Sequence, residues 1–325
     1  MKSRRILTLA LSLFAFGAVQ LHATETGGFD KTLQVNGNVD LNVVSGSGNI
    51  TVHTGASSVV HISAKIRARD QWFGGGMSAH EKIQKIQANP PIEQTGNSIR
   101  IGRIEDHELQ QNVSIDYDLT VPAQTRLTSV TGSGDQNING VQLAVSAKTG
   151  SGNITLDNIG ADVRVSSGSG DLKINSIKGA LAASAGSGNI RGGGIAGEIN
   201  ANTGSGEVEL EQAGSGNVKV GTGSGNVKLR GVKRGLRVET GSGDIRVDGE
   251  PTGDWHASAG SGNIDLRVPA STSFNIDART SSGTLRMNRP VTMQGNLGNK
   301  HVQGKVGNGG VLVDLHTGSG DIQVE

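Results

Sequence analysis

Four groups of residues in this 325-residue chain could do chemistry. Carboxylates crowd most closely at Glu207, Glu209 and Glu211, with Glu198 nearby. Clustered acids can share acid–base work on a glycosidic bond, or hold a metal beside a basic residue for polysaccharide cleavage. Alternate residues of one strand share a face, however, so this spacing reads as a solvated edge and no catalytic residue is assigned. Seven of the eight histidines (His53, His61, His80, His107, His256, His301, His316) lie beyond residue 23, scattered and none at metal-motif spacing. The serine of the recurrent Gly-Ser-Gly tripeptide lacks the Gly-x-Ser-x-Gly frame of a nucleophile elbow, and eleven copies could not each have a catalytic partner. Copies at Gly204, Gly214 and Gly223 are spaced ten and nine apart, like calcium-binding nonapeptides. Asn or Asp follows the last glycine directly, though, with Asn predominating, and neutral amides serve a hard cation poorly. Neither a metal nor a cofactor is expected.

The fourth group is basic: Lys219, Lys228, Arg230, Lys233, Arg234, Arg237 and Arg246 stand against Glu239 and Asp244. Such a strip could hold an acidic polysaccharide, a teichoic-type polymer or a lipid head group by charge-assisted hydrogen bonds.

The elements that position these residues follow from a period. From Gly132 to Gly260 most Gly-Ser-Gly copies return every 18 or 19 residues, the mark of stacked units that cannot bury an apolar face alone. Aliphatic residues fall at fixed offsets: Ile154, Leu172, Ile190, Val208, Val227, Ile245 and Ile264 form one column, and Leu156, Ile174, Gly192, Leu210, Leu229, Val247 and Leu266 a second. A third (Ile159, Ile177, Ile195, Ala213, Val232) precedes another glycine corner. Val163, Leu181, Ile199, Val218, Leu236, Trp255 and Phe274 begin the next strand, with Val165 to Ile276 two places on. Polar residues between them give period-2 alternation.

The fold class expected is all-β: a single-stranded, right-handed parallel β-helix, or β-solenoid, with coils of about 18–19 residues and each strand pairing with its equivalent in the next coil. A left-handed hexapeptide helix fails, because six-residue steps from Ile154 land on Gly160 and Ser166. Glycine is expected at the corners for its positive φ, and stacked Asn side chains for amide ladders, with the preceding Thr or Ser in a similar role. In the ladder Lys228 and Arg246 stack on one outer face and Lys219 and Arg237 on the other, with Arg230, Lys233 and Arg234 near the corner between.

The organisation expected is a signal peptide at 1–23, irregular coils at 24–130 with a helical insertion at 70–90, and regular repeats at 131–325. Lys2, Arg4 and Arg5 precede an apolar run from Ile6 to Val19 and a small residue at Ala23. The run is too short for a confident span, so no transmembrane segment is expected after cleavage. Without cysteine the exported chain has no disulfides. Losing the three basic residues moves the formal charge from +1 to 1 − 3 = −2, which argues against nucleic acid as a partner. Met77 to Ala88 is the insertion's helix, with Ile83 and Ile86 on one side and Pro90-Pro91 ending it. It is expected to cover an open end or side of the stack.

The stretches Gln94-Thr95-Gly96-Asn97-Ser98-Ile99-Arg100-Ile101 and Ile115-Asp116-Tyr117-Asp118-Leu119-Thr120-Val121-Pro122, followed by serial Thr-Gly-Ser-Gly-Asp/Asn-Ile, resemble the bacterial putative-adhesin domains of unknown function built from β-strand repeats. The resemblance spans residues 29–325 and implies a right-handed β-helix, without catalytic or ligand residues to carry over. The function expected is that of a non-enzymatic, secreted or envelope-associated adhesin or scaffold. Its partners would be surface polysaccharide or other envelope components, with self-association through exposed end strands. Its location would be periplasmic, cell-surface or extracellular. The alternative is a carbohydrate-active β-helix, lyase-like or hydrolase-like, with its site where residues 53–121 cover the stack; converging Asp, Glu and Arg in a pocket there would favour it.

Overall fold

The structure is a computed structural model describing residues 24–70, 76–293 and 300–325. The expected signal peptide lies outside the described residues. Two long sheets face each other across one apolar core, and each rung of the stack contributes a strand to both. In a typical rung Ile154–Ile159 lies in the first sheet and Val163–Ser167 in the second, each hydrogen-bonded in parallel to its equivalents. Alternation dictates this arrangement: Ile154 and Leu156 point inward and are buried, as are Val163 and Val165, and Asn158, at φ +54°, shifts the phase so that Ile159 is buried too. A rung alone would leave these side chains wet on two sides.

The third column needs one correction. Ala213 is exposed and Gln212 is buried in register with Ile195, because this rung is one residue shorter there. Buried amide groups require partners, and the Gln212 side chain donates to the carbonyls of Gly197 and Gly216, 3.2 and 2.8 Å away. The same shortening explains the copy at Gly214: it sits in the opposite corner, with Gly216 stacked against Gly197, so it has no place in the main Gly-Ser-Gly column.

The main corner works differently from expectation. The expected positive φ occurs at the last tripeptide glycine in Gly225, Gly243, Gly262 and Gly320, at +144° to +159°, but at none of the tripeptide glycines from Gly132 to Gly206. Glycine is required instead by close approach: a Cβ on Gly170 would overlap the carbonyl oxygen of Gly152 in the rung before, and the same clash repeats from Gly134 to Gly320. Except at Ala213, the residue before each tripeptide points inward and is buried, and in all these rungs but those of Ala185 and Ala259 it is Thr or Ser. Its hydroxyl donates to the last glycine carbonyl of the neighbouring rung, as in Thr149 to Gly134 (3.1 Å), Ser167 to Gly152 (3.0 Å) and Thr203 to Gly188 (2.9 Å).

The residue after each tripeptide does not form an amide-to-amide ladder. Its Oδ1 accepts the backbone N–H of the equivalent residue in the next rung, at 2.8–3.0 Å, from Asp116 to Asn49, Asp135, Asn153, Asp171, Asn189 and Glu207. The column resumes from Asn226 through Asp244 and Asn263 to Asp321. Only an acceptor oxygen is needed, so aspartate serves as well as asparagine. In spatial order, acids and amides alternate without exception: Asp116, Asn49, Asp135, Asn153, Asp171, Asn189, Glu207, Asn226, Asp244, Asn263, Asp321. Adjacent rungs are about 4.8 Å apart, where two carboxylates repel by about 1 kcal/mol even in water; alternation doubles the spacing. Asn153→Asp, which sets a carboxylate against both Asp135 and Asp171, should therefore cost about 2 kcal/mol at pH 7 in low salt, and added salt should restore it, as read by urea denaturation. At the end of the column the backbone N–H of Thr284 holds the exposed Asp321 carboxylate below its ordinary pKa. Its stabilisation is thus present above about pH 4 and lost as the pH falls through the lowered value.

Chain order and stacking order part company at both ends. Leu312–Ser319 is inserted between Trp255–Ser261 and Phe274–Ser282, parallel to both, and Ile322–Val324 likewise between Ile264–Arg267 and Leu285–Met287. His301–Val306 and Val291–Met293 then extend the second sheet antiparallel. At the other end Val39–Ser45 lies between Thr125–Thr131 and Ser98–Ile101. Ile92–Thr95 pairs antiparallel with Ser98–Ile101 and forms the edge of the second sheet. The first sheet continues antiparallel through Val59–Ala68 to Glu25–Gln34, a strand that sequence reading overlooked.

The expected helix runs Ala79–Ala88, with Ser78 and Glu81 forming a capping box. Ala79, Ile83 and Ile86 are buried over the two outermost strands of the first sheet, and Gly27 leaves the space that Ile83 fills. The buried Lys82 ammonium donates to the Gln111 carbonyl at 2.9 Å, tying the helix to the 102–112 loop.

Candidate functional site

Lys228 and Arg246 do stack on the outside of the first sheet, and Lys219 and Arg237 on the outside of the second. Arg230 belongs with the first pair, on the strand Val227–Val232, while Lys233 and Arg234 occupy the turn before Leu236–Ser242. The seven cations thus span two opposite faces and a corner. Rung stacking also brings them acids that lie far off in sequence. Glu209 meets Lys228 at 3.2 Å and Arg230 at 3.4 Å, and Asp265 meets Arg246 at 2.9 Å, while Arg237 is paired within its own strand, with Glu239 two residues on, at 2.5 Å. Such half-exposed pairs add little stability, but they cancel charge. Lys219, Lys233 and Arg234 are exposed and have no acidic partner among the described residues.

Two of the four glutamates of the acidic cluster are paired in the same way. Glu207 pairs with Arg191 at 3.1 Å and Glu209 with the lysine and arginine just named. A shallow groove of about 460 Å³ follows this first-sheet face past Asp244, Arg246 and Asp265.

Two constellations escaped sequence reading. On the second sheet, the out-of-order strands put Asp314 beside both His256 and Asp277. His256 Nδ1 lies 3.0 Å from Asp314, and Asp277 receives His301 at 2.9 Å and a bidentate Arg279. Burial pushes the Asp277 carboxyl up, but hydrogen bonds from Arg279 and His301 outweigh it and hold it below the usual range. His316 lies on the same outer face, in register with Arg279. Separations of 24 and 58 residues hide these contacts from any spacing rule.

The second lies in the 53–121 region. Ser98–Ile101 and Val113–Val121 form a rung next to Val39–Ser45 and Ile50–Thr54, but no Gly-Ser-Gly corner joins them. Gly102, at φ +89°, turns the chain outward into a loop carrying the short helix His107–Gln110. A hollow of about 640 Å³ remains where the corner would be, lined by Val44, Ile104, Val113, Ile115 and Tyr117, with Arg103, Glu105 and Gln110 among its polar residues. Glu105 is its one acid, 3.6 Å from Arg103 and largely exposed, so the carboxylate pair required by glycosidase chemistry does not converge there. The Tyr117 hydroxyl is buried without a hydrogen-bond partner, and burial pushes its pKa well above the usual phenol value.

With this architecture in place the sequence can be assigned: residues 160–325 match the family described as Toastrack DUF4097. The chain belongs to that family. Two solved structures are also similar to this toastrack chain. A putative cell adhesion protein from Clostridium sporogenes is 14% identical over 92% of this chain and 99% of its own, with a TM-score of 0.21. A putative adhesin from Bacteroides fragilis is 13% identical over 92% and 97%, with a TM-score of 0.33. No protein of curated function matches. Among the described residues no helix is long and apolar enough to cross a membrane.

Proposed function

We propose that this toastrack protein is an exported, non-enzymatic module that adheres to, or organises, the cell envelope by contacting extended surface polymers. The basic-then-apolar N-terminal sequence supports export, and periplasm, cell surface and exterior are all compatible with it. Long flat sheet faces suit a polymer laid across rungs better than a small molecule held in a cleft. The observation that carries the reading is the uncancelled charge of Lys219, Lys233 and Arg234 on a molecule whose other strip cations are neutralised. Anionic polysaccharide or teichoic-type polymer is the partner class this patch fits.

Binding of such polymers should fall at least tenfold at low salt in the Lys219→Ser/Lys233→Ser/Arg234→Ser variant and weaken in the parent as salt rises. The Lys228→Ser/Arg246→Ser variant should bind like the parent. Equal binding by the triple variant and the parent would remove the proposed face.

A further inference from the structure

The hollow beside Tyr117 is a vacancy in an otherwise continuous column. At every regular rung the corner closes on the one before, glycine against carbonyl. Here Gly102 leads the chain away; Val44, an outward-facing residue of Val39–Ser45 and one of two large hydrophobic residues exposed among the described residues, stands at the rim. Tyr117 is also out of type. It stands in register with Ile50, in a column otherwise made mostly of aliphatic residues such as Ile154 and Leu172. Its ring is buried, and its hydroxyl has no partner; the other unpartnered atom of that column, Gln136 Oε1, is enclosed in the core, whereas Tyr117 borders the hollow. A buried donor left unpaired costs about 1–3 kcal/mol, so its persistence calls for an acceptor supplied from outside.

The walls state what that acceptor must be attached to. The one cation lining the hollow among the described residues, Arg103, is exposed and paired with Glu105, so a carboxylate entering at the phenol would lose its hydration without a free opposite charge, whereas a neutral carbonyl would not. Val44, Val113 and Ile115 offer apolar contact around it. Arg103 and Glu105, at the exposed mouth, offer donors and acceptors for hydroxyl groups. We propose that the hollow takes an N-acetylated amino sugar, its acetamido carbonyl accepting from the Tyr117 hydroxyl, its methyl group against Val44 and Ile115, and its ring hydroxyls on Arg103 and Glu105. The volume, about 640 Å³, is within the range of small-ligand sites. The proposal rests on the envelope reading for its choice of ligand, but it uses none of the cations of the sheet faces, so the two can fail separately.

Tyr117 is the chain's single tyrosine, so a carbon-13 tyrosine label reports on this hollow alone. Titrating the whole chain with N-acetylglucosamine or its β-1,4-linked disaccharide should shift that signal, and glucose should leave it unchanged. Tyr117→Phe removes a hydroxyl without a protein partner and leaves the fold intact; calorimetry should show about tenfold weaker sugar binding, the loss of one hydrogen bond. Val44→Lys, at the exposed rim, should abolish the shift while the sheets stay folded. An equal response to glucose, a response to decanoate alone, no response at all, or undiminished affinity in Tyr117→Phe would each overturn the proposal.

Discussion

Gly170→Ala should lower stability by about 3 kcal/mol, because its new methyl group would overlap the backbone carbonyl of Gly152 and no side chain can move aside. The rungs on either side must separate locally, and a stack stabilised by nearest-neighbour contacts transmits that loss to both. Ser169→Ala, in the same tripeptide, changes an exposed side chain and should stay within about 0.5 kcal/mol. Urea midpoints of the two variants would decide the matter. Similar small shifts in both would mean that the corner can open by a few tenths of an ångström, and that close approach is not what selects glycine.

The second large effect concerns the final segment. Phe274–Ser282, His301–Val306 and Val291–Met293 connect to the rest of the second sheet only through Leu312–Ser319. Deleting residues 312–325 should therefore strip amide protection from all three strands at once, while Gln136–Asn139 through Leu236–Ser242 stay protected. Hydrogen exchange followed by peptide mass analysis would show it. A terminal rung at the end of the stack would, on removal, expose a single neighbour. Retained protection in Phe274–Ser282 would mean that this strand can pair directly with Trp255–Ser261, and that the inserted rung is dispensable.

The middle of the molecule was legible because its signals are local. Period-2 alternation, a tripeptide every 18 or 19 residues and a capping Ser78 each act within one rung or one turn. What escaped depends on which rung lies beside which. The insertion of residues 312–325 is invisible in a sequence whose last repeat looks like the next in line. The neutralisation of Lys228, Arg230 and Arg246 follows from strands 18–20 residues apart, so counting nearby acids overestimated the free charge. Ala213 was misplaced in the inward column because a one-residue shortening moved the inward position to Gln212, off the periodic template. Tyr117 was quoted within a recognisable stretch, yet nothing local says that its hydroxyl would be enclosed without a partner.

The strict exchange of acid and amide along the corner column bears on how such a molecule can change its reach. One additional rung would lengthen the stack by about 4.8 Å but would set either two acids or two amides side by side. An even number preserves the alternation, so the natural increment is a pair of rungs, about 10 Å. Both ends are closed by strands that do not depend on how many rungs lie between them. The middle can therefore serve as a spacer of adjustable length, with the terminal structures, and whatever they hold, carried unchanged to a new distance.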